Sequence, residues 1–216
     1  MLSRLLRRLA IEPGESSSGR SYDPDRAYFS DRAYFSSLPR LETADLILRT
    51  ALRTDAEDVF LYAADPEVAR YVLWDPHTSV GDSLAYIRYL RRLYREGMPS
   101  SWMLELKSTG KVIGSMGFVW YSPLNRSAEL GYSLARPCWN HGLATQALSA
   151  VVRSAFDNLP LHRLEAQHDL RNPASGRVLE KCGFTREGIL RGRIFNKGEM
   201  VDTVLWSLLR SDLSRP

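Results

Sequence analysis

The residues best equipped for chemistry in this 216-residue chain lie within 128–147, Ala-Glu-Leu-Gly-Tyr-Ser-Leu-Ala-Arg-Pro-Cys-Trp-Asn-His-Gly-Leu-Ala-Thr-Gln-Ala. A strand-like segment ends there, the turn His141-Gly142-Leu143-Ala144 follows, and a helical pattern starts at once. Small residues at such a turn let backbone N–H groups approach a ligand closely. The first helical turn also leaves N–H donors unpaired at the positive end of the helix dipole. Phosphate oxygens are the natural ligand for that geometry. A tight strand-to-helix turn that binds nothing uses the same residue types, so the turn alone leaves both readings open. Neither the P-loop pattern nor the Gly-x-Gly-x-x-Gly dinucleotide fingerprint occurs here.

A second group is Asn172-Pro-Ala-Ser175. Asn before Pro at a helix start is what capping alone selects, because the Asn side chain accepts an orphan N–H and Pro lacks one to lose. Cys138 and Cys182 are too few for a disulfide framework and lack zinc-ligand spacing. They imply no metal and favour a reducing, cytoplasmic setting. Cys138, beside the turn, reads as a small packing residue or a redox-sensitive thiol.

The elements that must position these residues follow from the apolar period, which switches repeatedly between two and 3.6. A strand is expected over 46–51, then a helix capped by Asp55, then a second helix from Ser79, with Asp82 as its N3 partner, to Gly97. Three hairpin-linked strands follow at 101–106, 112–121 and 127–134. A helix runs from Gly142 to about Leu159, a strand spans 161–170, and a helix starts at Asn172 and stops at Gly183. A last hairpin, 184–195 and 199–209, turns at Asn196-Lys-Gly198. The expected order is β-α-α-β-β-β-α-β-α-β-β. It describes an α/β (α+β) fold with a mixed, mostly antiparallel central sheet flanked by helices.

Composition limits the classes. A hydrophobic fraction of 44% with 25% charged residues is globular, and 29 Lys+Arg against 25 Asp+Glu leave a net charge of only +4. That surplus does not point to DNA; one anionic small molecule would account for it. No apolar run reaches the roughly 18–20 residues of a membrane span. Residues 1–11 lack a secretory h-region and resemble a short presequence or a surface-binding amphipathic helix. The hexamer Asp25-Arg-Ala-Tyr-Phe-Ser30 is repeated as Asp31-Arg-Ala-Tyr-Phe-Ser36 within a Ser- and Gly-rich linker. Two copies are too few for a solenoid. Residues 1–37 are therefore expected to be a flexible or peripheral extension, with the body beginning near Leu38.

Three segments, Glu129-Leu-Gly-Tyr132 with Trp139 to Ala147, Asn172-Pro-Ala-Ser175, and Leu179-Glu-Lys-Cys-Gly-Phe184, make 38–209 resemble the GNAT acetyltransferase superfamily. Within it they are similar to the branch of ribosomal-protein N-terminal alanine and serine acetyltransferases (RimJ/RimL-like). The resemblance makes 38–216 a GNAT N-acetyltransferase domain with acetyl-CoA as co-substrate and no metal. It implies that the backbone of Leu134, Ala135 and Arg136 holds the acetyl and pantetheine portions. Asn140, His141, Gly142, Leu143, Ala144 and Thr145 would form the pyrophosphate loop, and Asn172 and Ser175 would flank the pantetheine arm. Asn140 stands where Gly is common, which Asn tolerates at positive φ; Gln146 stands where Glu is common and loses a surface charge.

A direct-attack mechanism needs a proton acceptor, for which Glu129 is the candidate, and a group to protonate the departing thiolate, for which it is Ser175. An exposed structural glutamate and a solvent-facing first-turn serine are the plain alternatives. Strand alternation puts Glu129, Gly131 and Ser133 on one face and Ala128, Leu130, Tyr132 and Leu134 on the other. Trp74 lies where this branch builds its acceptor wall, or is ordinary core. The expected acceptor is the α-amine of a protein N-terminus, since roughly a tenth of an α-amine but well under a thousandth of a lysine is neutral at pH 7. The alternatives are a small-molecule amine (aminoglycoside, polyamine or amino-acid-like) and a non-catalytic acyl-CoA-binding module. A monomer or homodimer is expected.

Overall fold

The computed structural model describes residues 31–214. Residues 31–36 form helix α1, and the strands β1 (Leu41–Glu42) and β2 (Leu46–Arg49) follow. Helices α2 (Ala56–Ala63), α3 (Pro66–Ala69) and α4 (Val80–Glu96) lead to β3 (Ser101–Leu106), β4 (Lys111–Ser122) and β5 (Ser127–Leu134). Then come α5 (Leu143–Asn158), β6 (Arg163–Asp169), α6 (Pro173–Lys181), β7 (Thr185–Asn196) and β8 (Glu199–Leu209). The expected order is present, with α1, β1 and α3 added to it.

All eight strands form one sheet in the order β1-β2-β3-β4-β5-β6-β8-β7, antiparallel except where β5 meets β6. Short turns join β3, β4 and β5, so those pairs are antiparallel; the helical crossover through α5 makes the β5–β6 pair parallel. That pair is brief. Only Ser127–Glu129 pair with Arg163–Glu165, although β5 continues to Leu134 and β6 to Asp169. The sheet therefore splays open beyond Glu129, and the open wedge faces the start of α5 and of α6.

Alternation along β4 assigns the two layers. Phe118 meets the aromatic rings of α1, while Ser115 receives a hydrogen bond from Tyr86 of α4, so α1 and α4 cover opposite faces. Helix α2 packs on α4 and β4, and Tyr34 of α1 bonds to Ser154 of α5 (3.0 Å). The periodic positions fill the core as expected, with Leu46, Leu48, Ile87, Met103, Leu148 and Leu164 all fully buried.

Two expectations are corrected. The body starts by Asp31 and not near Leu38. Phe35 is 1% exposed between Phe118 and Tyr121, Arg32 donates to the Glu96 carbonyl (2.9 Å), and Tyr34 packs edge-on to Trp102. Burying a Phe ring contributes about 2–3 kcal/mol, which outweighs the linker-like composition around it. The first hexamer and residues 1–11 lie outside the described residues. Asp55 does not cap α2 with its side chain; its carboxylate instead takes both Arg49 Nη1 and Nη2 (each 2.8 Å) and the Leu52 N–H (2.7 Å), so it fastens the preceding turn to β2. The Ser79–Asp82 start of α4, the left-handed Gly97 behind it and the positive-φ pair Lys197 and Gly198 in the last hairpin are as read from the sequence.

Candidate active site

The wedge between β5 and β6 opens into a cleft of about 510 Å³. Its floor is Tyr132, Ser133 and Leu134 of β5. One wall is the loop Cys138, Trp139, Asn140 and Gly142 with the first turn of α5, and the other is 171–175 with Arg177, Val178 and Lys181. Glu67, Val68, Tyr71 and Val72, at and after α3, close the remaining side.

The α5 wall is built to expose amides. Asn140 (φ 62°) and Gly142 (φ 75°) both take left-handed conformations, which swing the chain from β5 into the helix. Gly142 is the N-cap, with no side-chain cap, and the first internal helix bond runs from the Gln146 N–H to its carbonyl (3.0 Å). Among the described residues nothing accepts from the N–H groups of Gly142, Leu143, Ala144 or Thr145. Four orphan donors at a helix start, facing a cleft, suit a phosphate. The Trp139 indole N–H donates to the Leu134 carbonyl (2.7 Å) and pins this loop to the end of β5.

The α6 wall offers side chains. Asn172 accepts the Ser175 N–H on its own side-chain oxygen (3.4 Å), so the cap is internal. Ser175 Oγ lies 2.8 Å from the Tyr132 hydroxyl, which also reaches the Ser175 carbonyl (3.0 Å) and so bridges the splay from β5 to α6. Burial first, partly offset by the bond to Ser175, pushes the Tyr132 phenol well above its usual range, so it stays a proton donor. Arg177 and Lys181, four apart and exposed on the cleft side, have no ion pair among the described residues. Arg171 is held by Asp169 (2.7 Å) and Glu199 (2.7 Å). Three cations against one lining carboxylate, Glu67, make the cleft electropositive.

Behind this wall Gly176 touches His168. A Cβ on Gly176 would sit 2.8 Å from His168 Nε2, so only glycine lets α6 lie this close to β6. His168 Nδ1 lies 2.8 Å from the Asp169 carbonyl, and its Nε2 accepts from the Trp206 indole (3.0 Å). Those partners assign the neutral imidazole protonated at Nδ1, and burial holds its pKa below the usual histidine value.

Of the residues singled out in the sequence, the cleft gathers Leu134, Asn140, Gly142, Leu143, Ala144, Thr145, Asn172 and Ser175. It does not gather Ala135, Arg136, His141, Trp74 or Glu129. The Ala135 amide donates to the Ile113 carbonyl (2.7 Å), Arg136 pairs with Asp65 (3.0 Å), and His141 is exposed. Trp74 packs against the core with its ring 5.7 Å from His77; Tyr71 and Val72 of the same segment form the wall instead. Glu129 is 8% exposed at the vertex of the splay. A bulge after Phe118 aims Trp120 at it, and it accepts the Trp120 indole N–H (2.6 Å) and the Gln167 amide (3.1 Å to each oxygen). A carboxylate has about four acceptor positions, so one remains open. Gln146 is more than a surface residue. It accepts from Thr43 (2.9 Å) and donates to Asp45 (2.7 Å), a double role that a Glu could not fill. The Cys138 thiol is pushed up by burial, which makes it less reactive.

Sequence reasoning passes over Tyr132, Arg177, Lys181 and Tyr71 as site residues. The i, i+4 spacing of Arg177 and Lys181 behind a capped helix start is the available signal for two of them. Among the described residues no helix is long and apolar enough to cross a membrane, and no cluster of three or more His, Cys, Asp or Glu is arranged to hold a metal.

Residues 45–185 match the family model described as acetyltransferase (GNAT) domain. The chain is 35% identical over 172 residues to an uncharacterized N-acetyltransferase, YoaA, of Bacillus subtilis (strain 168), spanning 80% of this chain and 97% of that protein. It is 31% identical over 97 residues to the ribosomal-protein-serine acetyltransferase of Escherichia coli (strain K12), 45% of this chain and 54% of that one. Among solved structures, the ribosomal L7/L12 α-N-protein acetyltransferase RimL in complex with coenzyme A superposes with a TM-score of 0.70 at 19% identity, covering 77% of this chain and 95% of that one, a likeness of fold.

Proposed function

The chain belongs to the GNAT acetyltransferase family, an N-acetyltransferase with acetyl-CoA as co-substrate, and we propose that its acceptor is the α-amine of a protein or peptide N-terminus. The observation that carries this reading is the cleft's poverty in bases. The only carboxylate among its lining residues is Glu67, which is 49% exposed at its side chain and 3.4 Å from Arg70. A lysine acceptor, neutral at well under a thousandth at pH 7, would need a strong dedicated base; an α-amine, neutral at roughly a tenth, needs little. The partial likeness to a ribosomal-protein-serine acetyltransferase supports the same acceptor.

In this proposal the α5 amides, with Arg177 and Lys181, receive the CoA phosphates. The neutral amine attacks the thioester carbonyl, a C–N bond forms as the C–S bond breaks, and the amine proton leaves through water to the open acceptor position of Glu129. Ser175 gives its hydroxyl proton to the departing thiolate and regains one from solvent water, its Oγ held in place by the Tyr132 hydroxyl 2.8 Å away. The test compares Ala- and Ser-initiated peptides with N-blocked peptides carrying an internal lysine, using acetyl-CoA and mass detection. Transfer to the free N-termini is expected, and transfer confined to lysine would refute the acceptor. Ser175→Ala should lower kcat by about tenfold or more with less change in KM for acetyl-CoA; equal losses in both would make Ser175 a binding residue.

A further inference from the structure

A second cavity of about 230 Å³ adjoins the cleft and shares Tyr71 and Arg171 with it; Arg70, Asn196, Lys197 and Glu199 complete its lining. We infer that this cavity receives a carboxylate or phosphate carried by the acceptor, so that the enzyme selects amines bearing an anionic group. The inference rests on the acetyl-transfer reading of the cleft and names its acceptor class.

Three observations carry it. Asn196 is 6% exposed, lines the cavity, and has no side-chain hydrogen bond among the described residues. Its carboxamide is not among the fully enclosed unpartnered polar atoms, so it stays open to the cavity with its hydrogen-bonding capacity free for a ligand. The cations around it converge on one ring: the Arg70 and Arg171 guanidinium carbons lie 5.2 Å and 5.9 Å from the Tyr71 centroid, beside the passage from the cleft. Lys197, at positive φ in the β7–β8 turn, donates to the Ala69 carbonyl at the end of α3, which holds the hairpin tip against the cavity. Of the lining cations, Arg171 is paired with Glu199 and Asp169 (each 2.7 Å) and Arg70 with Glu67 (3.4 Å), whereas Lys197 has no carboxylate partner among the described residues.

The cofactor does not account for this cavity. The free α5 amides, Arg177 and Lys181 line the larger cleft and are absent from the smaller one, so CoA phosphates are met without Arg70, Asn196 or Lys197. An acceptor amine in the cleft with its anionic group beyond Tyr71 uses both spaces at once. The Asn196 amide N–H, the Arg70 guanidinium donors not used by Glu67 and the Lys197 ammonium donors not used by the Ala69 carbonyl then face the anionic group.

The experiment uses the full chain with acetyl-CoA and two sets of matched acceptors. One set is three peptides beginning Ser-Asp, Ser-Asn and Ser-Lys; the other is phosphoethanolamine and β-alanine beside ethanolamine and β-alaninamide. Anionic members should have kcat/KM about tenfold above their neutral partners, chiefly through KM, about the effect of one charge-assisted hydrogen bond. In Arg70→Gln and, independently, in Asn196→Ala the preference should fall to within about threefold, with KM for acetyl-CoA unchanged. Anionic preference in the peptide set alone or in the small-amine set alone supports the inference and identifies the source. Equal rates for anionic, neutral and cationic members overturn it while leaving the transfer to α-amines standing. A parallel rise in KM for acetyl-CoA in both variants also overturns it, by giving the cavity to the cofactor. No transfer to any free amine would overturn the acceptor reading itself, and this inference with it.

Discussion

Two helices start at the same cleft and solve the problem of their N-termini in opposite ways. Helix α5 begins at Gly142 with no side-chain cap and leaves four N–H groups without acceptors among the described residues. Helix α6 begins at Asn172, whose side chain takes the Ser175 N–H. A helix start with glycine at the N-cap forgoes about a few tenths of a kcal/mol of stability, which a bound anion can return; a side-chain-capped one is complete without ligand. The difference divides the labour. Helix α5 offers backbone dipoles to phosphate, while α6 is fixed in place first and offers side chains: the Ser175 hydroxyl, Arg177 and Lys181.

The largest expected effect follows from placing a charge at the open end. A Cβ added to Gly142 would have no neighbouring atom within 4 Å, so a side chain there has open space, and the φ of 75° is one that Asn and Asp adopt more readily than other residues. Gly142→Asp and Gly142→Asn therefore differ mainly in charge. A carboxylate set against a diphosphate costs several kcal/mol, so Gly142→Asp should bind acetyl-CoA about a hundredfold more weakly than Gly142→Asn. Calorimetric titration checks this on both proteins, with melting curves as the control for folding. Equal affinities would mean that the amides of α5 do not face the phosphates, and the contrast between the helices would lose its chemical meaning.

At the capped end the same kind of change should act on stability instead. Asn172→Ala removes the side-chain acceptor of the Ser175 N–H, leaving the Asn172 carbonyl (3.2 Å) to accept it, and should cost up to about 1 kcal/mol, a fall of up to roughly 2–4 °C in Tm for a chain of this size. Asn172→Ser, which also caps well, should restore most of it. KM for acetyl-CoA should move less than about threefold in either variant, since a cap costs only about 1 kcal/mol. A loss of affinity comparable to that of Gly142→Asp, with Tm unchanged, would make Asn172 a ligand group and erase the distinction.

How far this can be read from the residues depends on what each region's signal consists of. Helix α6 is legible in full because Asn172, Pro173 and Gly183 mark its ends chemically, and β3, β5 and β8 are legible because alternation and turn residues agree. Helix α1 is not, because its apolar content is one Tyr-Phe pair inside a Ser-rich, duplicated stretch, and no periodicity is visible over six residues. What decides its place is the aromatic pocket of Trp102, Phe118 and Tyr121, which exists only after β3 and β4 have paired. The cleft is half legible. Gly142 and its neighbours carry a local backbone signal, whereas alternation assigns Tyr132 to the apolar face, and nothing local says that the strand beside it diverges and lets the phenol reach Ser175. Alternation places Glu129 to face a cleft, yet it lies buried at the vertex of the splay, and the bulge that turns Trp120 onto it is a property of the paired strands and not of either sequence.

The smallest expected effect concerns how α6 is seated, and it separates the helices by pH. Of the two helices, α6 is the one that leans on an imidazole among the described residues. Gly176 lies against His168, whose Nε2 accepts from Trp206 and would carry a proton facing that same indole donor if it were charged. Burial, partly offset by the neighbouring Asp169, depresses the folded-state pKa, so the unfolded chain takes up the proton first as pH falls. The stability this contributes is complete above the unfolded value of about 6.5 and is lost as pH drops below it toward the folded value. Glu187, held down to about 2 by Arg163 and Ser207, responds only at lower pH and leaves the window between about 5 and 6.5 to the histidines. Half-buried His77 shifts the same way, so the comparison must be made between proteins. Tm followed from pH 7.5 to 5 should fall less steeply in His168→Gln, which keeps an acceptor for Trp206 without a titrating ring, than in the unaltered chain. Identical slopes would mean that His168 does not couple the seat of α6 to protonation, and that the two helices differ in their caps alone.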